Sequence, residues 1–193
     1  LTLRGVRAGL GPLPGRRGLF DIGGGSTEYV AAEEDRLIAA VSLRLGVVPL
    51  AERFPFPKAV DWDRFGGLML EVKGRLEREL PDRLAEGRVD QLVGTAGTVT
   101  TLAALDLGLA TYDASRVQGH RLRRRAVERL LQRLGALTVE ERAALPCLEP
   151  GRADLIIPGI AIVLTTMARL GTETLVVSEW GLREGLMAEL VAV

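Results

Sequence analysis

The segment that decides the fold runs from Leu19 to Ala32 and reads LFDIGGGSTEYVAA. Its first part, Leu19 to Ile22, is short and mainly apolar, as in a strand, and it leads directly into three glycines. Ser26 to Ala32 predicts a strand that runs back beside the first, and Leu37 to Leu45 (LIAAVSLRL) predicts a third. We therefore expect an antiparallel meander of three strands near the N-terminus.

Helices and strands alternate over the rest of the chain. Helices are predicted over residues 63–80, 98–108, 125–134, 152–170 and 182–193, and further strands over residues 89–93 and 175–178. The helix that follows the strand at 89–93 is expected to begin at Thr98, since threonine commonly caps helices. A meander followed by this alternation indicates the α/β class, with a mixed sheet and flanking helices.

Composition excludes several classes of function. The 193 residues suit one globular domain that buries a core of its own. The 25 basic and 25 acidic residues cancel, which removes a general electrostatic case for binding nucleic acid or an anionic membrane. One cysteine, Cys147, and one histidine, His120, exclude a disulfide framework and clustered zinc ligands, and they fit a reducing cytoplasm. The longest apolar stretch, residues 155–164, is about half of a bilayer span, so no membrane segment is expected.

The glycine turn at residues 21–28, DIGGGSTE, is the first candidate site. Its glycines allow consecutive backbone N–H groups to converge on an anion, which suits phosphate, and Ser26 and Thr27 add hydroxyl donors. Asp21 places a carboxylate beside the bound oxygens, where Mg²⁺ could bridge them. The alternative is an ordinary glycine-rich hairpin turn with a solvated aspartate.

A second glycine turn ends the strand at 89–93 and leads into a helix. Its members are Gly94, Thr95, Ala96, Gly97 and Thr98. The amides and dipole of a helix N-terminus favour anions, although glycine and threonine at this place are also ordinary caps. Neither turn is a Walker loop, and Glu28 stands where a dinucleotide fingerprint needs its third glycine. The two turns support each other because a phosphate chain or nucleotide needs contacts at both ends.

The motifs resemble those of the exopolyphosphatase/guanosine pentaphosphate phosphatase family, from Leu19 to about Leu190. The matching segments, in the expected order, are DIGGGSTE (21–28), SLRLGVVPLAERF (42–54), GTAGTVTTLAAL (94–105), GRADLIIPGIAIV (151–163) and VSEWGLREGL (177–186). The resemblance implies a ribonuclease H-like lobe of the actin, sugar-kinase and Hsp70 superfamily. In that superfamily two such lobes close over phosphate.

The resemblance also implies a role for each motif. Asp21 would organise Mg²⁺, and Glu28 would be a supporting catalytic carboxylate. The phosphate oxygens would be held by Gly23, Gly24, Gly25, Ser26 and Thr27. Residues 94–98 match the segment that faces nucleotide in the wider superfamily. Scaffold ion pairs, with ligand contact as the alternative, are expected for Arg152, Asp154, Arg183 and Glu184.

The chain departs from the family in its first residues. Complete family members carry a first lobe with another phosphate loop, and a catalytic glutamate upstream of DIGGGSTE. Residues 1–18 contain no Asp or Glu. We therefore expect residues 1–18 to be a remnant of the inter-lobe connection and residues 19–193 to be the second lobe of a truncated cytoplasmic enzyme, with the N-terminal lobe or a second copy as its partner.

The activity implied for the whole enzyme is release of the terminal phosphate from polyphosphate or guanosine pentaphosphate. The isolated chain is expected to show little or no turnover. Two alternatives stay open: a regulatory lobe that binds nucleotide or phosphate without hydrolysis, and a small-molecule kinase of the same superfamily.

Overall fold

The computed structural model describes residues 1–12, 15–34, 36–85 and 89–191. The strands are β1 (Arg16–Ile22), β2 (Thr27–Glu33), β3 (Arg36–Leu43), β4 (Gln91–Thr95), β5 (Arg121–Arg123) and β6 (Thr174–Ser178). The helices are α1 (Thr2–Leu10), α2 (Val47–Arg53), α3 (Trp62–Glu79), α4 (Asp82–Ala85), α5 (Ala96–Asp106), α6 (Ala114–Val117), α7 (Arg124–Gly135), α8 (Val139–Ala143), α9 (Ile156–Arg169) and α10 (Leu182–Val191), with a 3-10 turn at Pro150–Arg152.

The described residues form a six-stranded mixed sheet with the order β3-β2-β1-β4-β6-β5. Antiparallel pairing of β1 with β2, and of β2 with β3, confirms the predicted meander. β1, β4 and β6 run parallel to one another, and β5 pairs antiparallel with β6. The carboxyl ends of the three parallel strands therefore meet at one edge of the sheet, which is where α/β proteins commonly bind ligands.

Helices cover the two faces of the sheet unequally. Successive residues of a strand point to opposite faces, so each strand contributes side chains to both. Phe20 and Tyr29 belong to the main core, which also contains the buried side chains of α3, α5, α7 and α9. Leu19 and Val93 point the other way, into a smaller cluster with Val6 of α1. Every residue of α9 from Ile156 to Met167 is buried, as expected for a central helix. None of the described helices is long and apolar enough to cross a membrane.

The first residues of the chain form a helix that packs on the last one. Residues 2–10 form α1, which packs against α10 with main chain against main chain. A Cβ on Gly5 would overlap the carbonyl oxygen of Gly181, and a Cβ on Gly185 would overlap that of Leu1. These glycines are needed for the close approach of the two helices. Residues 13 and 14 of the predicted remnant, and 192 and 193 of the predicted lobe, lie outside the described residues.

Two predicted helix starts were wrong, and one short strand was not predicted. Thr98 does not cap α5, which begins at Ala96 with Thr95 as its N-cap, so Gly94 and Thr95 belong to β4. The helix predicted from residue 152 begins at Ile156, so that Pro158 lies in its first turn. Proline is tolerated there, since the first-turn amides have no partner within the helix. The short strand β5 was not predicted, because three residues carry too little periodicity to be recognised.

Candidate functional site

A cleft of about 890 Å³ opens where β1, β4 and β6 end. The end of β1 contributes Asp21, Gly23 and Gly24, and the start of α5 contributes residues 95–98. The opposite wall is formed by Arg152 and its neighbours and by the start of α10. The structure thus brings the two predicted phosphate-binding turns together in one cleft.

A row of polar residues crosses the sheet beside this cleft. The register places Ser42 opposite Glu28, Glu28 opposite Asp21, and Asp21 opposite Thr95, with Ser178 next in line. Residues that oppose each other in neighbouring strands project from the same face. Asp21 is therefore flanked by a carboxylate on one side and a hydroxyl on the other.

Asp21 is partly buried and lies near two other carboxylates. Burial raises the pKa of the Asp21 carboxyl, and the nearby carboxylates of Glu28 and Glu184 raise it further. No set of three or more His, Cys, Asp or Glu side chains among the described residues is arranged to hold a metal. Asp21 fits Mg²⁺ nevertheless, because that ion commonly takes one or two carboxylates and completes its shell with water and phosphate oxygens.

Glu28 is held in place by two hydroxyl groups. Its Oε1 accepts hydrogen bonds from Ser26 Oγ at 2.7 Å and from Ser42 Oγ at 2.6 Å. The Ser26 hydroxyl is therefore committed to Glu28, whereas the sequence predicted it as a phosphate donor. Neither Ser26 nor Glu28 lines the cleft, and Glu28 faces an adjacent groove beside α1. The predicted supporting carboxylate thus lies behind Asp21.

The turn at residues 23–26 is fixed by its own backbone and by α2. The Gly23 N–H donates to the Ser26 carbonyl at 2.8 Å, so this amide is not free for an anion, contrary to the sequence-based assignment. The N–H groups of Val47 and Val48, at the start of α2, donate to the carbonyls of Gly23 and Gly24 at 3.2 and 2.9 Å. Within the described part of the chain, the N–H groups of residues 24–26 have no hydrogen-bond partner.

The glycines of the turn supply space rather than unusual backbone angles. None of Gly23, Gly24 and Gly25 adopts a left-handed φ. A Cβ on Gly25 would meet nothing within 4 Å. Two exposed glycines with unpaired amides leave room for a ligand to approach the main chain closely.

Thr27 does not belong to the site. Its side chain is fully buried, and its hydroxyl donates to the Leu45 carbonyl. Thr27 is the first residue of β2, and Leu45 lies just after the end of β3. The predicted phosphate contact of Thr27 is therefore wrong, and its hydroxyl joins two segments of the main chain instead.

The second turn presents the start of α5 to the cleft. No side chain within the described residues caps this helix, so its first amides remain available. Ala96 has a φ of 70°, a left-handed conformation that is strained for alanine. A Cβ on Gly94 would lie 2.9 Å from Phe20 Cζ, so this position faces the core and not the cleft. Gly94 therefore packs in the core, whereas the sequence predicted a ligand contact.

Thr98 and Arg152 complete this part of the cleft. A Cβ on Gly159 of α9 would lie 2.5 Å from Thr98 Cγ2, so α5 and α9 pack closely at this point. The guanidinium of Arg152 lies over Gly97, where it would overlap a Cβ. Arg152 Nε also donates to Glu149 at 3.1 Å, and the arginine side chain keeps 44% exposure. Arg152 thus forms the expected ion pair and also lines the cleft.

The far wall holds its carboxylates by hydrogen bonds. Glu184 accepts the Gly181 N–H at 2.8 Å, and Tyr112 donates its hydroxyl to Glu179. Burial, followed by the bond to Glu179, raises the pKa of Tyr112. Gly181 lies against the site itself, because a Cβ there would be 3.0 Å from Thr95 Oγ1 and 3.6 Å from an Asp21 carboxylate oxygen.

Sequence reasoning missed the contribution of α2 to the site. Gly46, its N-cap, packs so closely on the turn that a Cβ would overlap the carbonyl of Gly24. The available signal was a glycine followed by Pro49 in the first helical turn, which is typical of a helix start. That signal predicts a helix, but it does not say what the helix touches.

Comparisons with known proteins agree with the fold and the motifs. Exopolyphosphatase 2 of Mycobacterium tuberculosis is 35% identical over 98% of this chain and 60% of its own length. Guanosine-5'-triphosphate,3'-diphosphate pyrophosphatase of Vibrio cholerae is 30% identical over 92% of this chain and 34% of its own length. The solved Aquifex aeolicus PPX-GPPA enzyme superposes with a TM-score of 0.88 at 31% identity, over 97% of this chain and 61% of that one.

The chain therefore spans about 60% of the length of the first of these relatives. The structural match confirms the predicted actin-like, ribonuclease H-like fold. An exopolyphosphatase from Cytophaga hutchinsonii shares the same fold, with a TM-score of 0.88 at 24% identity. The sequence profile of Ppx/GppA phosphatases matches residues 1–192. This match covers nearly the whole chain and agrees with the motifs that the fold brings together around one cleft. The chain therefore belongs to the Ppx/GppA phosphatase family.

Proposed function

We propose that this chain is the phosphate-binding lobe of an enzyme that removes the terminal phosphate from polyphosphate or guanosine pentaphosphate. The observation that carries the proposal is the cleft between two groups of backbone amides, with the partly buried carboxylate of Asp21 beside them. Two relatives suggest the substrates: one is an exopolyphosphatase and another is a guanosine-5'-triphosphate,3'-diphosphate pyrophosphatase.

Backbone amides would bind most of the phosphate oxygens. One set of donors would be the N–H groups of Gly24, which lines the cleft, and of its neighbour Gly25, and the other set would be the first amides of α5. The α5 dipole adds a partial positive charge at the same place. Arg152 adds a full charge at the rim and can bind a second phosphate of the chain in exchange for Glu149.

Asp21 would tether Mg²⁺ through one carboxylate oxygen or through water. The ion would neutralise charge on the phosphoryl group when bound. Asp21 is suited to this role because the two neighbouring carboxylates add negative charge beside it. The hydrogen bonds from Ser26 and Ser42 hold the Glu28 carboxylate, and therefore its negative charge, near Asp21.

The reaction itself needs a base for water. The oxygen of water attacks the terminal phosphorus, the bridging P–O bond breaks, and the proton of the water passes to a carboxylate. Around this cleft the carboxylates of Glu28, Glu179 and Glu184 already accept hydrogen bonds from the protein. We therefore propose that the base lies in the part of the relatives that this chain does not span, and that the isolated chain binds substrate without turnover.

The test is calorimetry of the chain with tripolyphosphate, with and without Mg²⁺, alongside an assay for released phosphate. We expect Mg²⁺-dependent binding and little release, and we expect Asp21→Asn to abolish the Mg²⁺ dependence. Sulfate serves as the control, since it is an anion without a phosphate chain. No binding of tripolyphosphate, or binding equal to that of sulfate, would overturn the proposal.

A second candidate is a lobe that senses phosphate or nucleotide without hydrolysis. It is favoured by the same observation, that three nearby carboxylates are engaged within the protein. The two candidates differ in their response to a longer chain. The part of a relative that this chain does not span is added to the chain. Phosphate release in this mixture would favour the phosphatase. Unchanged binding without release would favour the sensor.

A further inference from the structure

We propose that the start of α2 sets the direction of the two loop amides that bind phosphate, with Gly46 and the N–H of Val47 as positioning groups. The inference rests on the proposed function, because it concerns the same phosphate. It adds a part of the chain that lies about twenty residues away from the loop, and it concerns the N–H of Val47, whose side chain also lines the cleft.

The direction of the amides follows from peptide geometry. In a trans peptide, the C=O of one residue and the N–H of the next point in opposite directions. The Gly23 carbonyl is held by the Val47 N–H at 3.2 Å, so the N–H of Gly24 points away from α2. The Gly24 carbonyl is held by the Val48 N–H at 2.9 Å, so the N–H of Gly25 also points away from α2.

Two consecutive amides therefore project from the loop on the side opposite to the helix. Both residues are exposed, and both amides lack partners among the described residues. Hydrogen bonds in a chain polarise one another, so donors whose carbonyls are already bound become stronger donors themselves. Without α2, a loop of three glycines would be free to rotate these peptides, because glycine adopts most backbone conformations.

The first two amides of α2 both donate to the loop. Its first two residues, Val47 and Val48, give their N–H groups to the loop carbonyls, and its third residue, Pro49, has no N–H to give. The first-turn amides that most helices leave to water or a cap are thus spent on orienting the loop.

Glycine is required at position 46 because there is no space for a side chain. Its φ of −104° and ψ of 166° are extended and open to any residue. A Cβ there would nevertheless overlap the carbonyl of Gly24 and the carbonyl carbon of Gly25. Those atoms belong to the main chain, so the clash cannot be relieved by a change of rotamer. Any side chain at position 46 must push the loop away from α2.

The decisive variant is Val47→Pro, compared with Val47→Ala. Proline removes the N–H that holds Gly23, and it suits the first position of a helix. The extended backbone of Gly46 is also what a residue before proline requires. Alanine shortens the same side chain but keeps the N–H, so the pair isolates one hydrogen bond. Thermal unfolding of both variants checks that the fold is retained.

Binding of tripolyphosphate in Mg²⁺ is measured by calorimetry, and the amide resonances of Gly24, Gly25 and Gly97 are followed by NMR. We expect Val47→Pro to bind about tenfold more weakly than Val47→Ala, as the loss of one oriented, charge-assisted donor implies. The ligand-induced shift of Gly24 should shrink in Val47→Pro, while the shifts of Gly25, whose peptide is still held by the Val48 N–H, and of Gly97 persist. A loss of stability alone would weaken all three responses together.

Gly46→Ala gives an independent test, with Gly66→Ala in α3 as its control. A Cβ on Gly66 meets nothing within 4 Å, so this control adds a methyl group without a clash. We expect weaker binding by Gly46→Ala and wild-type binding by Gly66→Ala. Binding within about twofold of wild type in both Val47→Pro and Gly46→Ala overturns the positioning role and leaves the proposed function standing. A wild-type protein that does not bind tripolyphosphate overturns both.

Discussion

Asp21 and Glu28 face each other across the hairpin of β1 and β2, on the same face of the sheet. The Glu28 carboxylate is one of the causes that raise the pKa of Asp21, after burial and ahead of Glu184. Two acidic groups held together in this way favour either a shared proton or a cation. The pair therefore links the stability of the fold to the proposed Mg²⁺ site.

Asp21→Asn is expected to stabilise the protein when Mg²⁺ is absent. Because the pKa of Asp21 in the folded chain lies above its ordinary value of 3.8, the folded chain holds this proton more tightly than the unfolded chain. The contribution of Asp21 to stability therefore falls as pH rises from about 4 through the folded pKa, and asparagine avoids that loss. Melting temperatures should show Asn above Asp at pH 7, with the difference shrinking towards pH 4.

Mg²⁺ should reverse this order. We expect it to raise the melting temperature of the wild-type protein and to leave that of Asp21→Asn unchanged, since a ligand stabilises only the form that binds it. Equal stabilisation of both proteins by Mg²⁺ would place the ion elsewhere.

Arg152→Ala is expected to weaken tripolyphosphate binding about tenfold, because a charged donor at the rim of the cleft is lost. The salt dependence of binding should become shallower at the same time. Arg124→Ala is the matched control, since Arg124 lies on α7 and pairs with Glu128 at 3.0 Å outside the cleft. Equal effects of the two substitutions would indicate a general charge effect rather than a contact.

Thr27→Val is expected to affect stability and not binding. The substitution leaves the buried Leu45 carbonyl without its donor, which reduces the free energy of unfolding by about 1 kcal/mol. Urea unfolding measures this loss, and calorimetry measures the affinity for tripolyphosphate. A loss of affinity well beyond the loss of stability would return Thr27 to the phosphate site.

Arg142→Met is expected to be the most destabilising of these substitutions. Arg142 is fully buried in α8 and donates to carbonyls in two segments. Its acceptors are the carbonyls of Phe56, Lys58, Leu134 and Leu137. Removal of the guanidinium leaves them unpaired, so the free energy of unfolding should fall by roughly 3 kcal/mol or more. Denaturant unfolding checks this, and a loss below about 1 kcal/mol would show that water replaces the guanidinium.

The meander and the cleft could be predicted because their signals are local. Short apolar runs followed by glycines mark the ends of β1 and β4, and parallel strands place those ends at one edge. The motif order then indicated the family, and the comparisons confirmed it. The core position of α9 followed from its apolar residues on every side.

The errors came from contacts and backbone conformations that the sequence pattern does not show. Thr27 and Ser26 look like exposed donors in the sequence, but Leu45 and Glu28 engage them in the fold. The start of α5 was misplaced because Ala96 adopts a left-handed φ that alanine seldom shows. The contact of α2 with the glycine turn involves only main-chain atoms, so no side-chain pattern announces it.

The close packing of α1 on α10 carries a mechanical consequence. Gly5 of α1 rests on the carbonyl of Gly181, and Gly181 in turn borders Asp21 and Thr95. With no side chain between them to flex, a tilt of α1 displaces Gly181 directly. The position of α1 is in this way coupled to the position of the cleft wall at Gly181.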